Sequence, residues 1–341
     1  MKRPRIAQRV RALGIAPGRF PTGPLNAITD VAGVLVGHIT LIEGDRTRTG
    51  ATAILPHSGN LWRQRVPAAL AVLNGFGKFA GSTQIDELGE LETPILLTNT
   101  LATGRAIEAI IAHTLAQAGN ERVVSVNAVV GETNDSRLND IRAARPSVAE
   151  MRAALQGAAG GNVAEGGVGA GTGTVAFGLK GGIGTASRLV DGLGMLGVLV
   201  QSNYGGTLRI DGQPIPSQDA RPDVDGSIVI VLATDAPLSS RNLGRLAQRA
   251  FAGLARTGSA LSNGSGDYAL AFCTTNGLRR GPDGAVEPVS TVGNAHISPL
   301  FEAAIEATEE AILNSMTMAC DGWGYDASSG LPSIVRALWL D

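Results

Sequence analysis

Aromatic residues, histidines and cysteines are all scarce in this chain, and each shortage removes a class of protein. Phe, Trp and Tyr make up 4% of the 341 residues, so a core has to be filled by Ala, Val, Leu and Ile. Two cysteines, Cys273 and Cys320, cannot build a disulfide framework; each lies in an apolar stretch and reads as a small buried hydrophobe. The four histidines, His38, His57, His113 and His296, fall in no HExxH or HxH arrangement, so no metal is expected. There is no GxSxG elbow, which disfavours an ordinary Ser-His-Asp hydrolase, and no GxxxxGK[ST] loop for phosphates. The net charge of −2 gives no electrostatic footprint for nucleic acid. No apolar run is long enough to span a bilayer, and residues 1–14 are basic without the apolar stretch of a signal peptide. A cytoplasmic protein without a cofactor is the expectation.

What the chain does have is a large apolar fraction, 44%, and 46 glycines. The length suits one large domain, and many glycines mean many tight turns or close backbone approaches. Short apolar runs at residues 51–56, 68–73, 94–97, 123–130, 195–200, 227–234 and 267–274 predict strands, as does the end of 26–38. Several are apolar at nearly every position, the mark of sheets covered on both faces. Helices are predicted over 104–118, over 147–155 with Ser147 and Glu150 as a capping box, over 239–256 and over 298–319. Strands and helices mix without a strict βαβ rhythm, so the expectation is an α/β layered sandwich in a single domain, 1–341.

Two segments invite a chemical reading. The glycine-rich run of residues 166–182, GGVGAGTGTVAFGLKGG, has GxG spacing, but no strand leads into it and no helix follows. It reads as a close-packed loop or a glycine wall around a small substrate rather than a dinucleotide site. The second is TGSALSNGSGDYALAFCTT, residues 257–275, in which a helix, a Gly/Ser/Asn turn and a strand follow one another. Taken alone it is an ordinary helix–strand connection. It also fits self-cleavage: Gly264 lets the backbone take a strained geometry, and the hydroxyl of Ser265 can attack the preceding carbonyl. Cleavage would leave Ser265 with an α-amine of pKa ~7.7–8.0, a base on the same residue as the nucleophile, with no histidine required.

With these residues in view, the sequence resembles the autoprocessed L-aminopeptidase/D-amidase-esterase family, peptidase family S58, which includes the β-peptidyl aminopeptidases. The matching segments run in family order: NAITDVAGVLVGH at Asn26, RTGATAILPH at Arg48, LNGFGKFAG at Leu73, ETPILLTNT at Glu92 and VVGETNDSRLND at Val129. They continue with GGIGTASR at Gly181, VLVQSNYG at Val198, NGSGDYALAF at Asn263 and ATEEAILNSM at Ala307. The resemblance implies a four-layer αββα fold and cleavage between Gly264 and Ser265 into 1–264 and 265–341. It implies homo-oligomers of those pairs, tetrameric or larger, and release of an N-terminal residue from short peptides, amides or esters. Position by position, it makes Ser265 the nucleophile, Asn203 an oxyanion donor (otherwise a turn residue before Tyr204-Gly205), and Thr308 with Glu310 the nucleophile's supports. Glu132 would face the substrate ammonium, with Asn134 near the oxyanion side.

Helix geometry leaves Thr308 and Glu310 in tension. Residues two apart on a helix point ~200° from one another, and Thr308 aligns with Phe301, Ile305 and Ile312. Either the helix is distorted or buried all round, or Glu309 is the partner. Two departures from the family also stand out: Ser136-Arg137 replaces a frequent Gly-Tyr before LND, and the run after Met318 differs from the usual ending. They keep a non-catalytic binding protein in view as a rival, and an acyltransferase is a second, because related layered folds use a Thr or Ser nucleophile to pass acyl groups to amines.

Overall fold

A computed structural model describes residues 6–216, 226–282, 284 and 288–340. In chain order it contains β1 (Leu35–Glu43), β2 (Thr47–Leu55), β3 (Val66–Gly75), β4 (Phe79–Ala80), α1 (Ser82–Leu88), β5 (Glu90–Leu91), β6 (Ile95–Asn99), α2 (Thr103–Leu115), β7 (Val129–Thr133) and α3 (Val148–Gln156). There follow β8 (Val175–Ala176), β9 (Leu179–Lys180), β10 (Gly182–Val190), β11 (Gly194–Asn203), β12 (Arg209–Ile210), β13 (Gln213–Pro214) and β14 (Ser227–Thr234). The chain ends with α4 (Ser240–Arg256), β15 (Gly266–Cys273), α5 (Ser298–Thr317), β16 (Gly322–Asp326) and β17 (Leu331–Val335).

Side-chain alternation sorts these elements into four layers. In β2, Ala51, Ala53 and Leu55 pack with α2 and α3 residues such as Ala106, Ile110, Met151 and Leu155, while Ile54 faces the second sheet. In β14, Val229 and Val231 face the first sheet, while Ile228, Ile230 and Leu232 join a core with Leu246 of α4 and Ile312 of α5. The period-2 geometry of a strand thus puts apolar residues on both faces, which is why β14 reads as a continuous hydrophobic run. The order is helices, sheet β1-β2-β6-β7-β4, sheet β10-β11-β14-β15-β3-β5, helices, as expected for an αββα sandwich.

Most expected elements are present, and the differences have physical causes. Residues 26–34 form turns and a short 3-10 segment, so the first strand begins at Leu35. The run expected at 123–130 is strand from Val129, and Val124 is almost fully exposed. β8 and β9 fall inside the run of 166–182 expected to be loop, and β10, where no strand was expected, begins at its end. The glycines of β10 hide it: a Cβ on Gly184 would lie 1.9 Å from the Ala311 carbonyl oxygen of α5, so the strand meets the helix backbone directly. Cys273 is buried as expected, but Cys320 is exposed, a correction that follows from its place in the turn after α5. No helix among the described residues is long and apolar enough to cross a membrane.

Candidate active site

The strand ends of both sheets converge on one cavity of about 510 Å³, within the usual size of small-ligand sites. β6 and β7 run parallel and deliver Thr100 and Glu132 to it. From the second sheet, Asn203 ends β11, Ser227 begins β14 and Gly266 begins β15, and the three stand in one cross-strand row. Gly264, two residues before that row, lines the same cavity as Asn203 and Glu132.

The Ser265 segment is tightly held. Ser265 N donates to Ser262 O at 3.0 Å, closing the turn over Asn263 and Gly264, and Ser265 O accepts from Phe76 N at 3.3 Å. Its hydroxyl is buried and donates to Asp267 Oδ1 at 2.7 Å. Burial pushes the Asp267 carboxyl pKa up, and the bond from Ser265 opposes that shift; Asp267 Oδ2 has no partner. In the continuous chain, Gly264 lines the cavity and the Ser265 hydroxyl turns behind it toward Asp267. Gly266 has to be glycine, because a Cβ there would meet Gly77 N at 2.8 Å. Asp267 escaped the sequence reading. The available signal was strand alternation, which puts residues two apart on the same side.

Glu132 is buried, and its carboxylate accepts from Lys78 N at 2.8 Å and from the Thr100 hydroxyl. The Lys78 ammonium lies 3.8 Å from it. Asn134 also lines the cavity, with its Oδ1 accepting from Ser136 N at 3.0 Å in a local turn. Asn203 Oδ1 accepts from Val175 N at 2.9 Å, so its Nδ2 hydrogens are the ones left for the cavity. Arg137 stands at the wall, and so does Ser328 from the β16–β17 hairpin. That hairpin is tied down by Tyr325 N to Leu138 O, 3.0 Å, and Ala327 N to Ser136 O, 2.9 Å. The unusual tail thus docks on the unusual Ser136-Arg137 segment.

Thr308 and Glu310 are not among the residues that line this cavity. α5 is buried all round, so both face protein in opposite directions. Thr308 lies against Gly253 of α4, and its hydroxyl has no partner. Glu310 accepts from Arg188 Nη2 at 2.7 Å, from Arg11 Nε at 2.7 Å and from Asn26 Nδ2 at 2.5 Å. It holds the N-terminal segment to β10 and α5. Glu309 pairs with Arg256 at 3.2 Å.

The comparisons with known proteins agree with this geometry. The family model "Peptidase family S58" matches residues 26–329. A β-peptidyl aminopeptidase, BapA of Sphingosinicella microcystinivorans, is 40% identical over 91% of this chain and 86% of that protein. Two solved structures superpose closely: a Burkholderia sp. β-aminopeptidase has a TM-score of 0.87 and 42% identity, over 97% of this chain and 96% of that one. The L-aminopeptidase D-Ala-esterase/amidase of Ochrobactrum anthropi, described as a prototype for the serine aminopeptidases with a variant of the Ntn hydrolase fold, has a TM-score of 0.89. It is 37% identical, over 97% of this chain and 95% of that one. With its serine-bearing turn at a cavity walled by a buried carboxylate, and with this match along most of its length, the chain belongs to peptidase family S58.

Proposed function

We propose that the chain cuts itself between Gly264 and Ser265 and then releases N-terminal residues from short peptides, amides or esters, with Ser265 as nucleophile. The observation that supports the reading is that Gly264, Asn203 and the buried Glu132 line one cavity, with Gly266 in register with Ser227 and Asn203. In self-cleavage, Ser265 Oγ attacks the Gly264 carbonyl carbon while Asp267 takes the hydroxyl proton. Asp267 then gives that proton to the departing Ser265 nitrogen, leaving Gly264 as an ester on Oγ. Water hydrolyses the ester, freeing the Gly264 carboxylate and the Ser265 α-amine.

In turnover the α-amine takes the Oγ proton as Oγ attacks the substrate carbonyl, and the proton passes to the leaving amine. Asn203 Nδ2 donates to the developing oxyanion. Water then releases the acyl group. Glu132 holds the substrate's ammonium, which fixes the scissile bond one residue from the N-terminus, with Asn134 on the oxyanion side. The reading includes a cytoplasmic setting and assembly of the processed pairs into homo-oligomers of tetramer size or more. The exposed Val72, Leu73 and Phe76 along the end of β3 support assembly, because apolar side chains clustered at a surface mark contact regions. Light scattering of the purified protein reads the assembly. The activity is tested with aminoacyl p-nitroanilides against their N-acetyl forms: turnover of the free-amine set alone is expected, and equal turnover of both would remove Glu132 from its role.

A further inference from the structure

The glycine-rich run contains one charged side chain, Lys180 in β9, and it is buried. Its ammonium donates to three carbonyl oxygens: Gly171 O at 2.8 Å, Thr174 O at 3.0 Å and Gly181 O at 2.8 Å. All the hydrogens of an ammonium are thereby used. One of these carbonyls is special. Thr174 C=O and Val175 N–H belong to a single peptide group, and Val175 N–H is the donor that holds Asn203 Oδ1. One side of that peptide plane is gripped by a cation and the other grips Asn203.

We propose that Lys180 is a positioning residue for the oxyanion donor: through the 174–175 peptide it fixes which end of the Asn203 amide faces the cavity. A primary amide has nearly the same shape with its oxygen and nitrogen exchanged, so packing alone discriminates poorly between the two orientations. A fixed N–H directed at Oδ1 discriminates well, because the flipped amide would set donor against donor. Hydrogen-bond chains polarise one another in a low-dielectric interior, so a cation on the carbonyl strengthens donation from the N–H of the same peptide. Burial pushes the Lys180 pKa down to about 7, and the charge of Asp135, itself buried, opposes that shift. The glycines around Lys180 are needed as well: a Cβ on Gly171 or Gly181 would strike backbone at 2.4 or 2.5 Å, so the loop closes on Lys180 only without side chains.

The inference rests on Asn203 being the oxyanion donor, and a double-mutant cycle separates the two. The turnover of an aminoacyl p-nitroanilide is measured for wild type, Asn203→Ala, Lys180→Met and the double variant, normalised to processed chain by intact mass. Asn203→Ala is expected to lower kcat about 10²–10³-fold. Lys180→Met is expected to lower kcat about 10–100-fold, as small misplacements of a catalytic group do, with KM little changed. On the Asn203→Ala background the Lys180 substitution is expected to have almost no further effect. Equal losses in both backgrounds, or an unchanged kcat in Lys180→Met, would overturn the proposal. An Asn203→Ala enzyme of normal kcat would remove the donor reading itself and the proposal with it. If Lys180→Met does not fold, Lys180→Gln, which keeps two N–H donors, is put through the same cycle with the same outcomes.

Discussion

The hydroxyl of Ser265 donates to the Asp267 carboxylate at 2.7 Å, behind the cavity rather than into it. On the proposed reading, with Ser265 as nucleophile and Asp267 as its base, this contact suits an intramolecular first reaction. The carbonyl that Ser265 meets before any substrate is its own neighbour, Gly264. Once that bond is cut, the turn of residues 262–264 is no longer held by a peptide link and the serine can face the cavity.

This relationship predicts the behaviour of Asp267→Asn. An amide cannot accept the hydroxyl proton, and a positioned general base typically contributes 10²–10⁴-fold. Self-cleavage in Asp267→Asn is therefore expected to slow at least ~100-fold, followed as the disappearance of full-length mass over time. Burial raises the Asp267 pKa, so acidification removes the carboxylate sooner than for an ordinary aspartate, and wild-type self-cleavage should slow as pH falls. A pH-independent rate would contradict the assignment.

Glu132 predicts a substrate effect. A hydrogen bond to a charged group contributes ~1.5–3 kcal/mol, or about 10–150-fold in kcat/KM. Glu132→Gln is expected to lose that factor with free-amine substrates, chiefly through KM. Comparable KM values in both proteins would mean that the ammonium lies elsewhere.

Glu310 and Thr308 predict the opposite kind of result. Arg188 is fully buried and pairs with Glu310 at 2.7 Å and with Glu306 at 3.2 Å, so Glu310→Ala takes one of two carboxylates from a buried guanidinium, and the loss is expected to fall below the ~3–5 kcal/mol of a fully unpaired buried charge. The unfolding midpoint in urea should fall accordingly, while the folded fraction keeps its kcat. Thr308→Val removes a hydroxyl with no partner and should leave both stability and activity near wild type. Loss of turnover in a fully folded Thr308→Val would bear out the expected catalytic role.

His38 predicts part of the pH dependence of stability. Burial pushes its pKa down to about 4, against about 6.5 in the unfolded chain. The folded form stays neutral while the unfolded form takes a proton, so this contribution is intact above about pH 6.5 and is lost progressively down to about pH 4. Its size is at most about 3 kcal/mol. Buried Asp135 and Glu165, both pushed up to about 7 by burial, act in the opposite sense. The test is therefore the difference between wild type and His38→Gln in urea unfolding at pH 7.5 and 4.5, with the wild type expected to lose more.

Much of this was legible in the sequence, for reasons that differ by residue. β14 and β15 were readable because both of their faces are buried and their central positions, Ile228–Ala233 and Tyr268–Cys273, are apolar throughout. Ser147 and Glu150 were readable because capping is local chemistry, and their reciprocal bonds are present. Glu132, Asn134, Asn203 and Gly264 were named in advance and do meet at one cavity. β10 was not legible, because Gly184 answers to α5, a helix more than a hundred residues away, and Gly182 to the backbone of Gly166. The surroundings of Thr308 and Glu310 were not legible, because a helix buried on nearly every side has no outward face by which to judge a side chain. Lys180 could not be interpreted, since its partners are backbone carbonyls brought to it by the fold.

The most direct test of the account is the mass and N-terminal sequence of the purified wild-type protein beside Ser265→Ala. Two chains in the wild type, the smaller beginning Ser-Gly-Asp-Tyr and both needed for turnover, together with one inactive full-length chain in the variant, is the predicted result. An active wild-type enzyme in which residues 264 and 265 remain joined would contradict it.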